Sequence, residues 1–291
     1  MYEFKTRVRY SEVDSAGKLT ITGIVNYLQD IATFHSNDVG FSIDKLKEIH
    51  RAWLLSSWDI YIHRLPKYCE EIKVCTSPHT FKGLLAARNL WIEDASGEKI
   101  VEADSWWFYL DTEKGRPARI TEADYGPFGE PKRVLDIPDK GRKVEIPEGL
   151  AMTPAAPVEV QLHHIDTNRH MNNAQYIQVA LDALAETSGA TEAAGAVGVK
   201  TSSADGDADV ANAGTSGLAE LQIVPGQTNP EGGQNLKSFH SGEIRVEYHK
   251  SALFGDIITP YIGKTPGGEV YISLKADDGT IYANLSVTPL I

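Results

Sequence analysis

Asp166, Asn168 and His170 put an acid, an amide and an imidazole within five residues of one short polar stretch, His163 to Tyr176. Asn172 and Asn173 follow where a helix should begin. Asn is among the preferred N-cap residues, because its side-chain oxygen accepts a free N–H of the first turn. The segment Ala174 to Thr187 is apolar around most of its circumference, and Gly189 is a plausible stop, a pattern that predicts a buried helix. Polar groups at the positive end of such a helix can stabilise an oxyanion and position a water. Taken singly, each residue is more often a turn or cap residue than a catalytic one. The set of three is what points to chemistry.

The elements that must hold this stretch come from a repeat. Phe4 to Val13 alternates as a strand, and a turn follows at Ser15-Ala16-Gly17. Thr20 or Thr22 can cap a helix from Gly23 to about His35, and Ser42 a short one from Ile43 to Ile49. From Ala52 onward the period changes to two, predicting strands at Ala52–Arg64, Glu71–Thr80, Leu85–Glu93 and Ile100–Asp111. A Pro-, Gly- and charge-rich linker leads to a second strand, Pro157 to His164, and to the predicted buried helix. Four further strands follow at Gly242–His249, Ile257–Gly263, Val270–Lys275 and Ile281–Pro289. Setting Asp14 over Asp166 sets Lys18 over His170, and Glu70-Glu71 matches Gly255-Asp256. The pattern is a duplicated α+β domain. Expected boundaries are 1–125 for the first domain, 126–156 for the linker and 157–291 for the second. An insertion at 189–241, rich in Ala, Gly, Ser and Asp, is expected to be disordered.

The copies differ where it matters. The first reads Asp14-Ser15-Ala16-Gly17-Lys18 and lacks the amide and the imidazole of the second. The second copy is therefore the expected active one, and the first is free for another task such as enclosing a substrate tail.

A net charge of −12 without a basic stripe argues against nucleic acid. Cys69 and Cys75 lie on what reads as one strand, so their Cα atoms would be roughly 20 Å apart. A disulfide needs about 7 Å or less. Free thiols fit a reducing cytoplasm. No signal-peptide core and no membrane span is expected. Nothing in the sequence calls for a metal or an organic cofactor. A homodimer stays open.

Asp166-x-Asn168-x-His170-Met171-Asn172-Asn173, followed by Tyr176-Ile177, resembles the signature of plant and bacterial acyl-ACP thioesterases. The first half resembles that family too, through its strand–Asp–Gly–helix opening, Ala52-Trp53-Leu54-Leu55 and Ile60 to Pro66. The resemblance implies a tandem, or double, hot-dog fold of class α+β, with each antiparallel sheet wrapped around a long helix. It implies hydrolysis of fatty acyl thioesters of acyl carrier protein, with the acyl chain housed by the first domain. One departure stands out. Where the plant enzymes carry a Glu-Cys pair, this chain has Ser251-Ala252, which excludes a Cys nucleophile at that place. The Glu role is then absent, taken by Ser251, or held by another acid such as Glu247.

In this chemistry Asp166 acts as general base or as nucleophile. Asn168 and His170 orient water or carboxylate, and N–H groups near Asn173, with Asn172 beside it, hold the carbonyl oxygen. Two rivals remain, an acyl-CoA thioesterase and a catalytically silent acyl-binding hot-dog protein.

Overall fold

The computed structural model describes residues 1–187 and 241–289. The expected insertion, apart from Ser241, and the expected helix stop at Gly189 lie outside the described residues. Strand β1 (Tyr2–Arg7) alternates in exposure. It ends well before Val13, because Tyr10–Glu12 turns as a 3-10 helix. There Glu12 accepts the Arg9 N–H at 3.2 Å and the Tyr27 hydroxyl at 2.5 Å. The expected strand Pro157–His164 fails in the same way. Only β8 (Val158–Glu159) pairs, and Leu162–His164 turns, with the Gln161 N–H donating to His164 Nδ1 at 3.0 Å. Alternating polarity does not distinguish a strand from a turn whose backbone is captured by local side chains.

The first helix, α1 (Ile21–Asp38), starts where the Thr20 hydroxyl accepts the Gly23 N–H at 3.0 Å. Ile24, Val25, Tyr27, Leu28 and Ile31 make its buried face. Short α2 (Ile43–Glu48) is capped by Ser42. Four strands follow, β2 (Arg51–Ile62), β3 (Glu71–Lys82), β4 (Leu85–Asp94) and β5 (Lys99–Asp111). Then come β6 (Arg116–Pro117), α3 (Glu122–Tyr125) and β7 (Thr153–Pro154). After β8, the second half carries α4 (Asn173–Thr187), β9 (Gly242–Tyr248), β10 (Ile257–Lys264), β11 (Val270–Lys275) and β12 (Ile281–Pro289).

All main strands join one antiparallel sheet in the order β1-β3-β4-β5-β2-β9-β12-β11-β10-β7. Read inward from either edge, both halves run first, third, fourth, fifth and second strand, so the two copies share one topology. The fold is α+β, a tandem hot-dog whose two sheets meet at the β2–β9 seam. At that seam Trp58 lies opposite Val246, and Ile60 opposite Ile244. Those four side chains, α1 and α4 belong to one apolar core on one face of the sheet. The helices touch through Thr22 and Gln178, whose side chains hydrogen-bond.

Helix α4 is less wrapped than its sequence suggests. Ala174, Tyr176, Ile177, Val179, Ala180, Ala183 and Leu184 are buried, while Asp182 and Glu186 stay exposed. Residues 134–144 lie on the opposite face of the sheet. Leu135 packs on Cys75 and Trp91, and Asn89 Oδ1 accepts the N–H groups of Val134 and Leu135 at 3.0 and 3.1 Å. The thiols are not on one strand. Cys75 is buried in β3, whereas Cys69 is exposed in the turn before it, at φ 66°. Both are free.

Candidate active site

The loop that carries Asp166, Asn168 and His170 has a counterpart in the first copy. In the first copy Asp14 N–H donates to the Lys18 carbonyl at 2.8 Å, and Gly17 N–H to the Asp14 carbonyl at 2.9 Å. Asp14 Oδ1 accepts the N–H groups of Ala16 and Lys18, both at 2.9 Å. In the second copy Asp166 N–H donates to the His170 carbonyl at 2.8 Å, and Arg169 N–H to the Asp166 carbonyl at 3.0 Å. Asp166 Oδ1 accepts the Asn168 N–H at 2.7 Å, with the His170 N–H at 3.5 Å. The bridges Val13–Leu19 and Ile165–Met171 close the two loops at the same place. The loop needs a left-handed residue at its fourth position. The first copy uses Gly17 at φ 71°, the second Arg169 at φ 62°, a conformation that costs a non-glycine residue about 1 kcal/mol or more.

The aspartate thus has a fold role common to both copies, filled by one carboxylate oxygen. The second copy adds what the first lacks. Neither the Asn168 amide nor the His170 ring has a hydrogen-bond partner among the described residues, and Asp166 Oδ2 is equally unengaged. These are groups left available to a ligand.

The start of α4 is held from three sides. Asn172 Oδ1 caps the helix, accepting the Ala174 N–H at 2.9 Å, and also takes a bond from Gln29 Nε2 at 3.3 Å. Asn173 Nδ2 donates to Gln29 Oε1 at 2.9 Å, and its carbonyl accepts the Tyr248 hydroxyl at 2.9 Å. The Asn173 N–H keeps no partner among the described residues. This is the free donor expected at a helix N-terminus. Tyr176 accepts the Ala252 N–H at 2.7 Å, and Met171 N–H donates to the Ala252 carbonyl at 2.9 Å. These bonds stitch the 250–252 segment onto the Asp166 loop. Burial pushes the Tyr176 hydroxyl up to about 12 and the Tyr248 hydroxyl well above its usual value. Both stay neutral hydrogen-bonding groups.

All six residues singled out from sequence, Asp166, Asn168, His170, Asn172, Asn173 and Ser251, line one cavity of about 1030 Å³. The first half supplies most of its remaining wall, including Ala32, Leu55, Phe81, Ala86, Trp107 and Phe128. Glu247 is not in it. Its Oε2 accepts the Val144 N–H at 3.0 Å on the outer face of the sheet. Sequence reasoning missed Gln29 and Tyr248 as supports of the site, and nothing local in the sequence marks them; Tyr176 stood in the quoted signature without a role. The match of the two sheets also shifts by one. Val8 N–H donates to the Glu70 carbonyl as Val160 N–H does to that of Asp256, so Cys69-Glu70, not Glu70-Glu71, corresponds to Gly255-Asp256.

Residues 1–127 match the acyl-ACP thioesterase N-terminal domain, and residues 151–200 match the C-terminal domain of the same family. Chloroplastic oleoyl-acyl carrier protein thioesterase 2 of Arabidopsis thaliana is 29% identical over 201 residues, covering 63% of this chain and 54% of that protein. The chain therefore spans about half the length of such plant relatives. A solved acyl-ACP thioesterase from Bacteroides thetaiotaomicron shares the fold at a TM-score of 0.68 and 21% identity, covering 98% of this chain and 96% of that one. The 12:0-ACP thioesterase from Umbellularia californica does so at a TM-score of 0.71 and 13% identity, covering 98% and 95%. With both of its domain models matched in order along one chain, this protein belongs to the acyl-ACP thioesterase family.

Proposed function

We propose that this protein hydrolyses fatty acyl thioesters of acyl carrier protein, releasing free fatty acid and holo-acyl carrier protein. One observation carries the reading. The cavity of about 1030 Å³ joins Asp166, Asn168 and His170 to a largely apolar wall from the first half, which gives a reacting group and a chain their separate places. Pockets for small ligands combine an apolar lining with a few convergent polar groups in this way.

Asp166, through its unengaged Oδ2, takes the proton of a water attacking the thioester carbon, or attacks that carbon itself. Asn168 and His170 orient the water or the carboxylate. The Asn173 N–H, at the positive end of α4, receives the developing oxyanion. The carbon–sulfur bond breaks; on the base route the proton taken up ends on the departing thiolate, and on the nucleophile route a water then cleaves the acyl–Asp166 anhydride, releasing the fatty acid and a proton for the thiolate. Ser251, which the sequence resemblance sets at the place of the family's Glu, lines the cavity and supplies a neutral hydroxyl. The proposed partner is an acyl carrier protein. The proposed location is the cytoplasm, in keeping with two free thiols. No helix among the described residues is long and apolar enough to cross a membrane.

The experiment is a release assay. Purified protein is given a chain-length series of acyl-ACP and the same series of acyl-CoA, and free fatty acid is measured. The reading requires release from acyl-ACP, with a higher kcat/KM than from acyl-CoA. Tight binding of fatty acids without release from either carrier would make the protein a silent binder. Preference for acyl-CoA would reassign the carrier.

A further inference from the structure

Arg88 is out of keeping with the wall it belongs to. It sits on β4 between Pro78 of β3 and Ser105 of β5, is 8% exposed, and lines the cavity in the first half. Its neighbours there include Ala86, Ala87, Phe81 and Trp107. The guanidinium forms no salt bridge and donates no hydrogen bond among the described residues. Its one favourable contact is the face of Phe128, whose ring centre is 5.8 Å away. Beside it stands His35, whose Nδ1 is buried with no partner among the described residues and whose ring meets the same Phe128 at 5.1 Å.

A buried cation without an anion is costly, and replacement by an apolar side chain commonly stabilises a fold. Burial alone lowers the Arg88 guanidinium, to about 10, so no nearby carboxylate offsets it. Burial, together with the charge of Arg88, lowers His35 to about 4, which leaves a neutral imidazole next to the cation. Apolar packing gains nothing from either polar group. A ligand in the cavity with an oxygen acceptor satisfies the guanidinium, which lines that cavity as His35 does not.

We propose that Arg88 is a specificity-determining residue which binds an oxygen acceptor, a carboxylate above all, at the distal end of the acyl chain. The pocket then selects ω-oxygenated acyl groups over plain ones. The guanidinium suits the role because its planar fork matches a carboxylate in two-point contact. The ring of Phe128 and the neighbouring alanines pack the methylenes that precede the polar end. This inference rests on the hydrolytic reading for the word acyl, but its test does not need turnover.

The test measures binding of free acids by calorimetry. Saturated monocarboxylic acids, their ω-hydroxy derivatives and the matching α,ω-dicarboxylic acids, from 8 to 16 carbons by choice of series, are titrated into the full-length protein. At the best-fitting length the dicarboxylic acid should bind about tenfold or more tightly than the monocarboxylic acid, with the ω-hydroxy acid between them. Arg88→Met, which keeps length and removes charge, should abolish the preference. Arg88→Lys should retain part of it. Tightest binding of the plain acid at every length, or a preference that Arg88→Met leaves intact, overturns the proposal. Should Arg88→Met fail to fold, the wild-type ranking and Arg88→Lys decide. Preference without acyl-ACP hydrolysis would sink the proposed function alone. Hydrolysis of plain chains without preference would sink this inference alone.

Discussion

The seam between the two halves carries a proton that the fold should feel. Asp59 of β2 is 7% exposed and lies opposite Arg245 of β9. Its Oδ1 is buried with no hydrogen-bond partner among the described residues, and the Arg245 Nε stands 3.8 Å from Oδ2. Glu243 is nearby, held by Lys140 at 2.6 Å. Burial, then the neighbouring Glu243, pushes Asp59 up to about 7, against the pull of Arg245 and Lys140. Glu243 goes the other way. Burial opposes its ionisation, but Lys140 and a hydrogen bond from Asp59 outweigh that and lower it. The pair is best satisfied when protonated Asp59 donates to ionised Glu243. Unfolded, Asp59 would lose its proton near 3.8. Between about 4 and 7 the folded protein therefore holds a proton that the unfolded chain releases, and stability from this group falls as pH rises through that window. The full difference corresponds to ~4 kcal/mol, and the opposite shift of Glu243 reduces it to ~2–4 kcal/mol. Asp59→Asn keeps the shape and can still donate to Glu243. Its Tm should equal that of the wild type near pH 4 and exceed it by about 5 °C or more at pH 8. Melting curves of both proteins across that range are the assay. A constant gap at all pH values, or a less stable variant at pH 8, would refute the shared proton.

Gln29 ties α1 to both asparagines at the start of α4. Gln29→Leu should lower kcat on acyl-ACP by about tenfold through a misplaced Asn173 N–H, with a smaller change in KM; an unchanged kcat would show that the clamp does not position the donor. The thiols should behave oppositely. Cys75 is buried, and burial pushes its thiol up to about 12, whereas Cys69 is exposed. Iodoacetamide should label Cys69 alone in the native protein without loss of hydrolysis, and inhibition in step with labelling would revive a thiol mechanism.

The duplicated topology was legible because both copies repeat the same alternation of periods, and the second topology confirms the first strand by strand. Strand ends were not legible. Tyr10–Glu12 and Leu162–His164 look like strand continuations until the capture of Arg9 N–H by Glu12, or of Gln161 N–H by His164, is seen. The loop at Asp166 could be read because its residues are consecutive. Its supports could not, since Gln29, Tyr248 and Ala252 arrive from segments 75 to 144 residues away. Arg88 was passed over for a related reason. A lone Arg reads by type as a solvent-facing residue, although period two sets it on the face of Leu90 and Ile92, which pack in the core. Glu247 shows the converse, an acid of the right type on the wrong face.

The central claim is that Asp166 does chemistry beyond the loop-capping role it shares with Asp14. Asparagine at either position keeps the Oδ1 acceptor that holds the loop and removes the base or nucleophile. The direct measurement is kcat/KM on acyl-ACP for the wild type, Asp166→Asn and Asp14→Asn, with the Tm of each. Both variants should melt close to the wild type. Asp166→Asn should lose at least ~10²-fold in kcat/KM, while Asp14→Asn stays within about tenfold. Equal losses from the two variants at equal stability would contradict the assignment of the site to the second copy.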